Sequence, residues 1–158
     1  MTEDMLKGIT ILYVEDDTAI RQNTSVTLKL VSANIIDAVD GRDGLEKYKE
    51  NIDKIDIVMT DLSMPDMDGL EMISEIKKLK KDTPILITTA HQDLSYLKKA
   101  IEFGVTSYII KPIDIRNIIT SILKAIEPVN AKNELLERIE SLEEENKSLK
   151  KQLEQTSS

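Results

Sequence analysis

The sequence predicts an α/β fold, a doubly wound five-stranded parallel sheet, followed by a C-terminal coiled-coil helix. Three observations carry that expectation. Five short runs rich in Ile, Leu and Val alternate with segments of helical periodicity. The runs are apolar with little alternation, as expected of strands covered on both faces. Beyond Pro128 a strict two-in-seven apolar repeat takes over. Alternating strands and helices with right-handed crossovers leave few topologies, and a doubly wound sheet is the natural one.

The first strand is Thr10 to Val14, which stops at the acidic loop Glu15-Asp16-Asp17. From Thr18 to Val31 the positions Ile20, Val26, Leu28 and Leu30 fit a helix loosely, and Asp17 is well placed to cap it. Asn34 to Val39 is the second strand, ended by Asp40-Gly41. Leu45, Tyr48 and Ile52 mark a second amphipathic helix, and Ile55 to Thr60 is the third strand, leading into Asp61. A turn-rich loop follows, Ser63-Met64-Pro65-Asp66-Met67-Asp68, in which Asp66 and Asp68 read as turn formers. Gly69 opens a third helix with the face Leu70, Ile73, Ile76 and Leu79 or Lys80, and the run Lys77 to Lys81 reads as its solvated basic end. The fourth strand spans Thr83 to Thr89, with Pro84 at its start where no ladder donor is required. Leu94, Leu97 and Ile101 place the fourth helix, stopped by Gly104. Ser107 to Ile110 is the fifth strand, ended by Lys111-Pro112. Ile115, Ile118, Ile119, Ile122 and Ile126 give the last helix of the domain.

The domain is expected to span residues 8–127. Proline disfavours helix in the residue before it, so 128–132 reads as a kinked connection. The segment 133–155 carries Leu135, Ile139, Leu142, Asn146, Leu149 and Leu153 at spacings of four and three, the a and d positions of three heptads. A single Asn146 at an a position favours a parallel, in-register dimer. Arg138 facing Glu143 of a partner helix, and Glu145 facing Lys150, attract in that register.

Composition removes several function classes. The 158 residues carry a formal net charge of −8, which argues against nucleic acid or an anionic membrane as the main partner. No cysteine is present, so thiolate metal sites and cysteine nucleophiles are out. The first eight residues include Glu3 and Asp4 and lack the apolar core of a signal peptide. No stretch approaches the roughly 18 uninterrupted apolar residues of a membrane span. The expectation is a soluble, cytoplasmic protein.

The chemistry gathers where the strands end. Strands one, three, four and five finish in Glu15-Asp16-Asp17, Asp61, Thr88-Thr89 and Lys111. Carboxylates crowded on one edge repel unless a divalent cation neutralises them. An all-oxygen donor set favours Mg²⁺, with Mn²⁺ possible, over zinc. A carboxylate accepting a phosphoryl group there needs the metal, a lysine and a hydroxyl to hold its oxygens, and Lys111 and Thr89 suit those tasks.

Glu15-Asp16, Asp61 with Met64-Pro65-Asp66-Met67-Asp68-Gly69, Thr89-Ala90 and Lys111-Pro112, in this order and spacing, resemble the receiver domain of bacterial two-component response regulators. The resemblance covers about residues 8–127 and implies the flavodoxin-like strand order 2-1-3-4-5, which is also that of the chemotaxis regulator. It implies phosphorelay signalling, with Asp61 as phospho-acceptor and a sensor histidine kinase, phosphotransfer protein or small phosphodonor as the source. Asp16 would ligate Mg²⁺ directly, Glu15 would act mainly through water, and Ser63 would give its backbone carbonyl. Thr89 would bond a phosphoryl oxygen and Lys111 would pair with it. Tyr108 matches the aromatic that turns inward when the threonine moves, and in the alternative it is a core-edge aromatic. Ser63 and His91 lie where families differ in aspartyl-phosphate lifetime.

Such a protein would catalyse only its own phosphorylation and dephosphorylation. Phosphorylation would change the face formed by the fourth helix, fifth strand and fifth helix, and with it the coiled-coil dimer. Rival classes fare poorly. An aspartate phosphatase would usually carry a second aspartate where Ser63 stands, and Glu15-Asp16-Asp17 would repel the phosphates of a flavin or nucleotide. No glycine-rich phosphate loop is present. The remaining rival is a receiver-like dimerisation scaffold that works without phosphate.

Overall fold

Five parallel strands in the order β2-β1-β3-β4-β5 form a single sheet, as the sequence implies. A computed structural model describes residues 4–90, 94–105 and 107–156. The elements are β1 (Thr10–Val14), α1 (Thr18–Leu30), β2 (Asn34–Ala38), α2 (Gly41–Glu50), β3 (Ile57–Asp61), α3 (Gly69–Leu79), β4 (Ile85–Thr89), α4 (Leu94–Glu102), β5 (Ser107–Ile110) and α5 (Ile115–Thr156). The chain divides into two units, 1–126 and 127–158.

In the first unit β3 and β4 are buried along their whole length, whereas edge strand β2 is buried only at Ala38. This explains the continuous apolar runs of the inner strands. Successive side chains point to opposite faces. Ile11, Tyr13, Ile57, Met59 and Leu86 join Leu28 of α1 and Ile118, Ile119 and Ile122 of α5 in one cluster. Leu12, Val14, Val58, Ile85 and Ile87 join Tyr48 of α2, Met72, Ile73 and Ile76 of α3, and Ala100 of α4 in the other.

Chain direction across the sheet reverses between β1 and β3, which pair in register from Ile11–Ile57 to Val14–Thr60. A crevice opens outside the carboxyl ends of strands at such a switch point. The loops around it are locally fixed. Asp17 caps α1 by accepting from Ile20 N at 3.0 Å, and Asp68 caps α3 by accepting from Glu71 N at 2.9 Å. Asp66 adopts a left-handed turn at φ 67° and pairs with Arg42 at 2.9 Å. All three roles match the sequence reading. Gly69 is required for close approach: a Cβ there would collide with the Asp61 carbonyl. The start of α3 can thus pack directly against the end of β3.

Four expectations need correction. The first concerns where the domain starts: Leu6 is fully buried and its N–H donates to Val31 O at 2.9 Å, so the core begins before residue 8. On α4 the buried face holds Leu97 and Ala100, while Ile101 is 55% exposed. The small alanine packs against the sheet side and the larger isoleucine falls at the helix flank, a distinction that apolar spacing does not make. Lys77 is not a solvated helix-end charge. Its ammonium donates to the carbonyls of Lys81 at 3.0 Å and Thr83 at 2.9 Å, and burial lowers its pKa. Finally, helical backbone runs from Ile115 to Thr156 without the break expected at 128–132. Proline deprives a helix of one backbone donor, a local cost that strong helix formers on either side can outweigh.

In the second unit the described side chains from Leu135 onward are exposed. Leu135, Ile139, Leu142, Leu149 and Leu153 are 41–68% exposed, so the heptad stripe has no apolar cover within this chain.

Candidate metal and phosphoryl-acceptor site

Asp61 is the last residue of β3, and its side chain is only 10% exposed. Glu15, one residue past β1, is fully buried. Lys111 follows β5 and stands between them, donating to Glu15 Oε1 at 2.9 Å and to Asp61 Oδ2 at 3.1 Å. The Lys111–Pro112 peptide bond is cis. Asp16 is exposed beside this pair, and carboxylate oxygens of Glu15, Asp16 and Asp61 all lie within 4.8 Å of one another. The structure therefore joins four of the residues singled out from the sequence.

One lysine cannot balance three carboxylates, and the imbalance shows in Glu15. Burial, reinforced by the charge of Asp61 and opposed by the bond from Lys111, pushes its pKa up to about 7. For Lys111 burial acts downward, but the bonds and charges of Glu15 and Asp61 prevail and raise its pKa. The donor set is oxygen only, convergent and in negative excess. That chemistry fits a hard divalent cation of the Mg²⁺ class.

The other residues stand further from this centre. Thr89 ends β4, fully buried, with its hydroxyl donating to Ala90 O at 3.3 Å. The residue directly across the ladder from Asp61 is Thr88. Thr88 is packed as expected, yet its buried hydroxyl has no hydrogen-bond partner among the described residues. Tyr108 is 47% exposed, which overturns its reading as a core-edge aromatic. Strand alternation accounts for this, since its neighbour Ile109 is the buried one. Ser63 is exposed and lines a cavity of about 310 Å³ with Met64, Asp68 and Tyr96. His91 lies outside the described residues.

Sequence reasoning missed Arg21, whose guanidinium donates to the Glu15 carbonyl at 2.8 Å. The available signal was its place one turn beyond the Asp17 cap.

The model of the response regulator receiver domain matches residues 11–123. The chain belongs to that family. Receiver domains serve two-component phosphorelays. A curated relative, the chemotaxis protein CheY of Treponema pallidum, is 31% identical over 118 residues, covering 74% of this chain and 82% of its own length. The two-component response regulator ARR10 of Arabidopsis thaliana is 31% identical over 111 residues, 70% of this chain, and the match spans only 20% of that protein. Among solved structures, the CheX-CheY-BeF3-Mg+2 complex from Borrelia burgdorferi is similar with a TM-score of 0.68 and 28% identity, covering 73% of this chain and 87% of that one. No helix among the described residues is long and apolar enough to cross a membrane.

The state of Glu15 has a measurable consequence in metal-free protein. Its folded pKa lies above the ordinary carboxylate value, so the folded state binds more protons between roughly pH 4.5 and 7. Stability contributed by this group therefore falls as pH rises through that window. Glu15→Gln should be more stable than the native chain at pH 8 in EDTA, by on the order of 1–3 kcal/mol. The difference should close near pH 5, as read by urea unfolding.

Proposed function

We propose that this chain accepts a phosphoryl group on Asp61 in a Mg²⁺-dependent step of a phosphorelay, and that its C-terminal helix pairs in a parallel homodimer. The observation that carries the first part is the Lys111 ammonium bridging Glu15 and Asp61, with Asp16 close by. An Asp61 oxygen attacks the phosphorus of a phosphohistidine on a sensor kinase or phosphotransfer protein, or of a small phosphodonor. A P–O bond forms, the P–N bond of phosphohistidine breaks, and the departing imidazole nitrogen takes up a proton. Hydrolysis by water returns the carboxylate and releases inorganic phosphate.

Asp16, Asp61 and the Ser63 carbonyl would hold the cation, with Glu15 acting mainly through water. Mg²⁺, or Mn²⁺ in its place, supplies charge neutralisation for the carboxylates and phosphoryl oxygens. The Mg+2 of the Borrelia complex supports that choice. Lys111 shifts its donors toward the phosphoryl oxygens, and the Thr89 hydroxyl gives up the Ala90 carbonyl for another. Tyr108, exposed on β5, then follows the threonine inward, altering the face made by α4, β5 and α5. Ser63 and His91 tune how long the acyl phosphate lasts.

The dimer rests on the exposed stripe of Leu135, Ile139, Leu142, Leu149 and Leu153, with Asn146 setting the register. The lack of a membrane-length apolar helix among the described residues and the net charge of −8 are consistent with a cytoplasmic setting, without membrane or direct nucleic-acid partners.

Incubation with acetyl phosphate and Mg²⁺ should add one phosphoryl group by intact-mass measurement, and Asp61→Asn or EDTA should remove the addition. No labelling by acetyl phosphate or a cognate kinase would favour a scaffold that works without phosphate.

Light scattering at tens of micromolar should give a dimer. Leu142→Asp or Asn146→Lys should shift it toward monomer, and a monomeric native chain would refute the pairing.

A further inference from the structure

Every hydrogen-bonding group of Glu15 is engaged. Its N–H donates to Ala38 O of β2 at 3.1 Å. Its Oε1 accepts from Lys111 at 2.9 Å and its Oε2 from Asp17 N at 3.3 Å. Its carbonyl accepts from Arg21 Nη1 at 2.8 Å. The first three partners belong to the sheet, the site and the helix cap. Arg21 belongs to none of these.

The Arg21 side chain is only 11% exposed. Arginine is rarely buried without a partner that answers its charge, and a neutral carbonyl does not answer it. Asp37 of β2 stands 3.9 Å away and supplies the counter-charge. The backbone of Arg21 is fixed as well, its N–H donating to Asp17 O at 2.9 Å. The guanidinium therefore reaches back from the first turn of α1 to the residue where β1 ends. The short turn Glu15-Asp16-Asp17 is held at both ends, by the Asp17 cap and by the Arg21 clamp.

We propose that Arg21 is a positioning residue for the divalent cation. It fixes the Glu15 carbonyl and thereby the turn that presents the Glu15 and Asp16 carboxylates. The proposal rests on reading the acidic cluster as a Mg²⁺ site. It is sharply testable because two roles for Arg21 have opposite signs. As a bare positive charge, Arg21 repels a cation, so its removal would tighten Mg²⁺ binding. As a clamp, its removal frees the turn and weakens binding, as loss of groups that orient metal ligands generally does. Lysine keeps the charge but lacks the planar fork that serves a carbonyl and a carboxylate together.

The test is the Mg²⁺ dissociation constant of the full chain by calorimetry, for native protein, Arg21→Gln, Arg21→Lys and the control Asp16→Ala. Thermal midpoints in EDTA are measured in parallel. Arg21→Gln should raise the constant about tenfold, and Arg21→Lys about threefold. A native or lower constant in Arg21→Gln overturns the proposal, even if its melting temperature falls. Should Arg21→Gln fail to fold, Arg21→Lys decides: a raised constant supports the clamp and a native one overturns it. No saturable binding by the native chain, or undiminished binding by Asp16→Ala, overturns the metal reading itself and the clamp with it.

Discussion

The structure depends on one charge-balance problem: the Lys111 ammonium shared between the carboxylates of Glu15 and Asp61. Both acids are buried or nearly so, at the ends of strands that cannot move without disturbing the sheet. Removing charged groups from water is costly, and a single lysine compensates two of them only in part. With Asp16 adjacent, the edge keeps a negative excess that a divalent cation relieves. A site left under-neutralised in this way is prepared to accept cation and phosphoryl group together. The cation brings the positive charge that the incoming phosphoryl group requires.

Topology makes that arrangement possible. The order β2-β1-β3-β4-β5 puts β1 beside β3, so residues 46 apart in sequence, Glu15 and Asp61, meet at neighbouring strand ends. Lys111 arrives from β5, two strands away, on a side chain long enough to reach across β4 to both acids. The α helices carry none of the reacting groups. They cover the two faces and fix the loops through the caps Asp17 and Asp68, and at Gly69 the absence of a side chain lets α3 begin against the Asp61 carbonyl.

Much of this was legible in the sequence. Asp61, Glu15-Asp16 and Lys111 each stand where an apolar run stops, and strand ends on one edge must converge once the strands are parallel. What stayed hidden depends on three-dimensional detail that spacing does not encode. Apolar periodicity could not separate Ala100 from Ile101, because it registers hydrophobicity and not the size of the gap to be filled. Lys77 looked like any charge at a helix end, whereas its ammonium satisfies two loop carbonyls. Arg21 looked like a polar position on a weakly amphipathic helix, since a side chain reaching a backbone carbonyl leaves no pattern. Pro128 signalled a break that the helical backbone does not show, because propensity is a local term outweighed by its neighbours.

If the shared lysine and the three carboxylates form a metal-dependent phosphoryl acceptor, a mimic of the phosphoryl group should be captured there. The decisive measurement is a crystal structure of the chain grown with Mg²⁺ and beryllofluoride. Beryllium should be bonded to an Asp61 oxygen, with Mg²⁺ among Asp16, Asp61 and the Ser63 carbonyl, and Lys111 donating to a fluorine. A structure in which the mimic and the metal are absent, with Lys111 still bridging Glu15 and Asp61, would contradict this reading of the site.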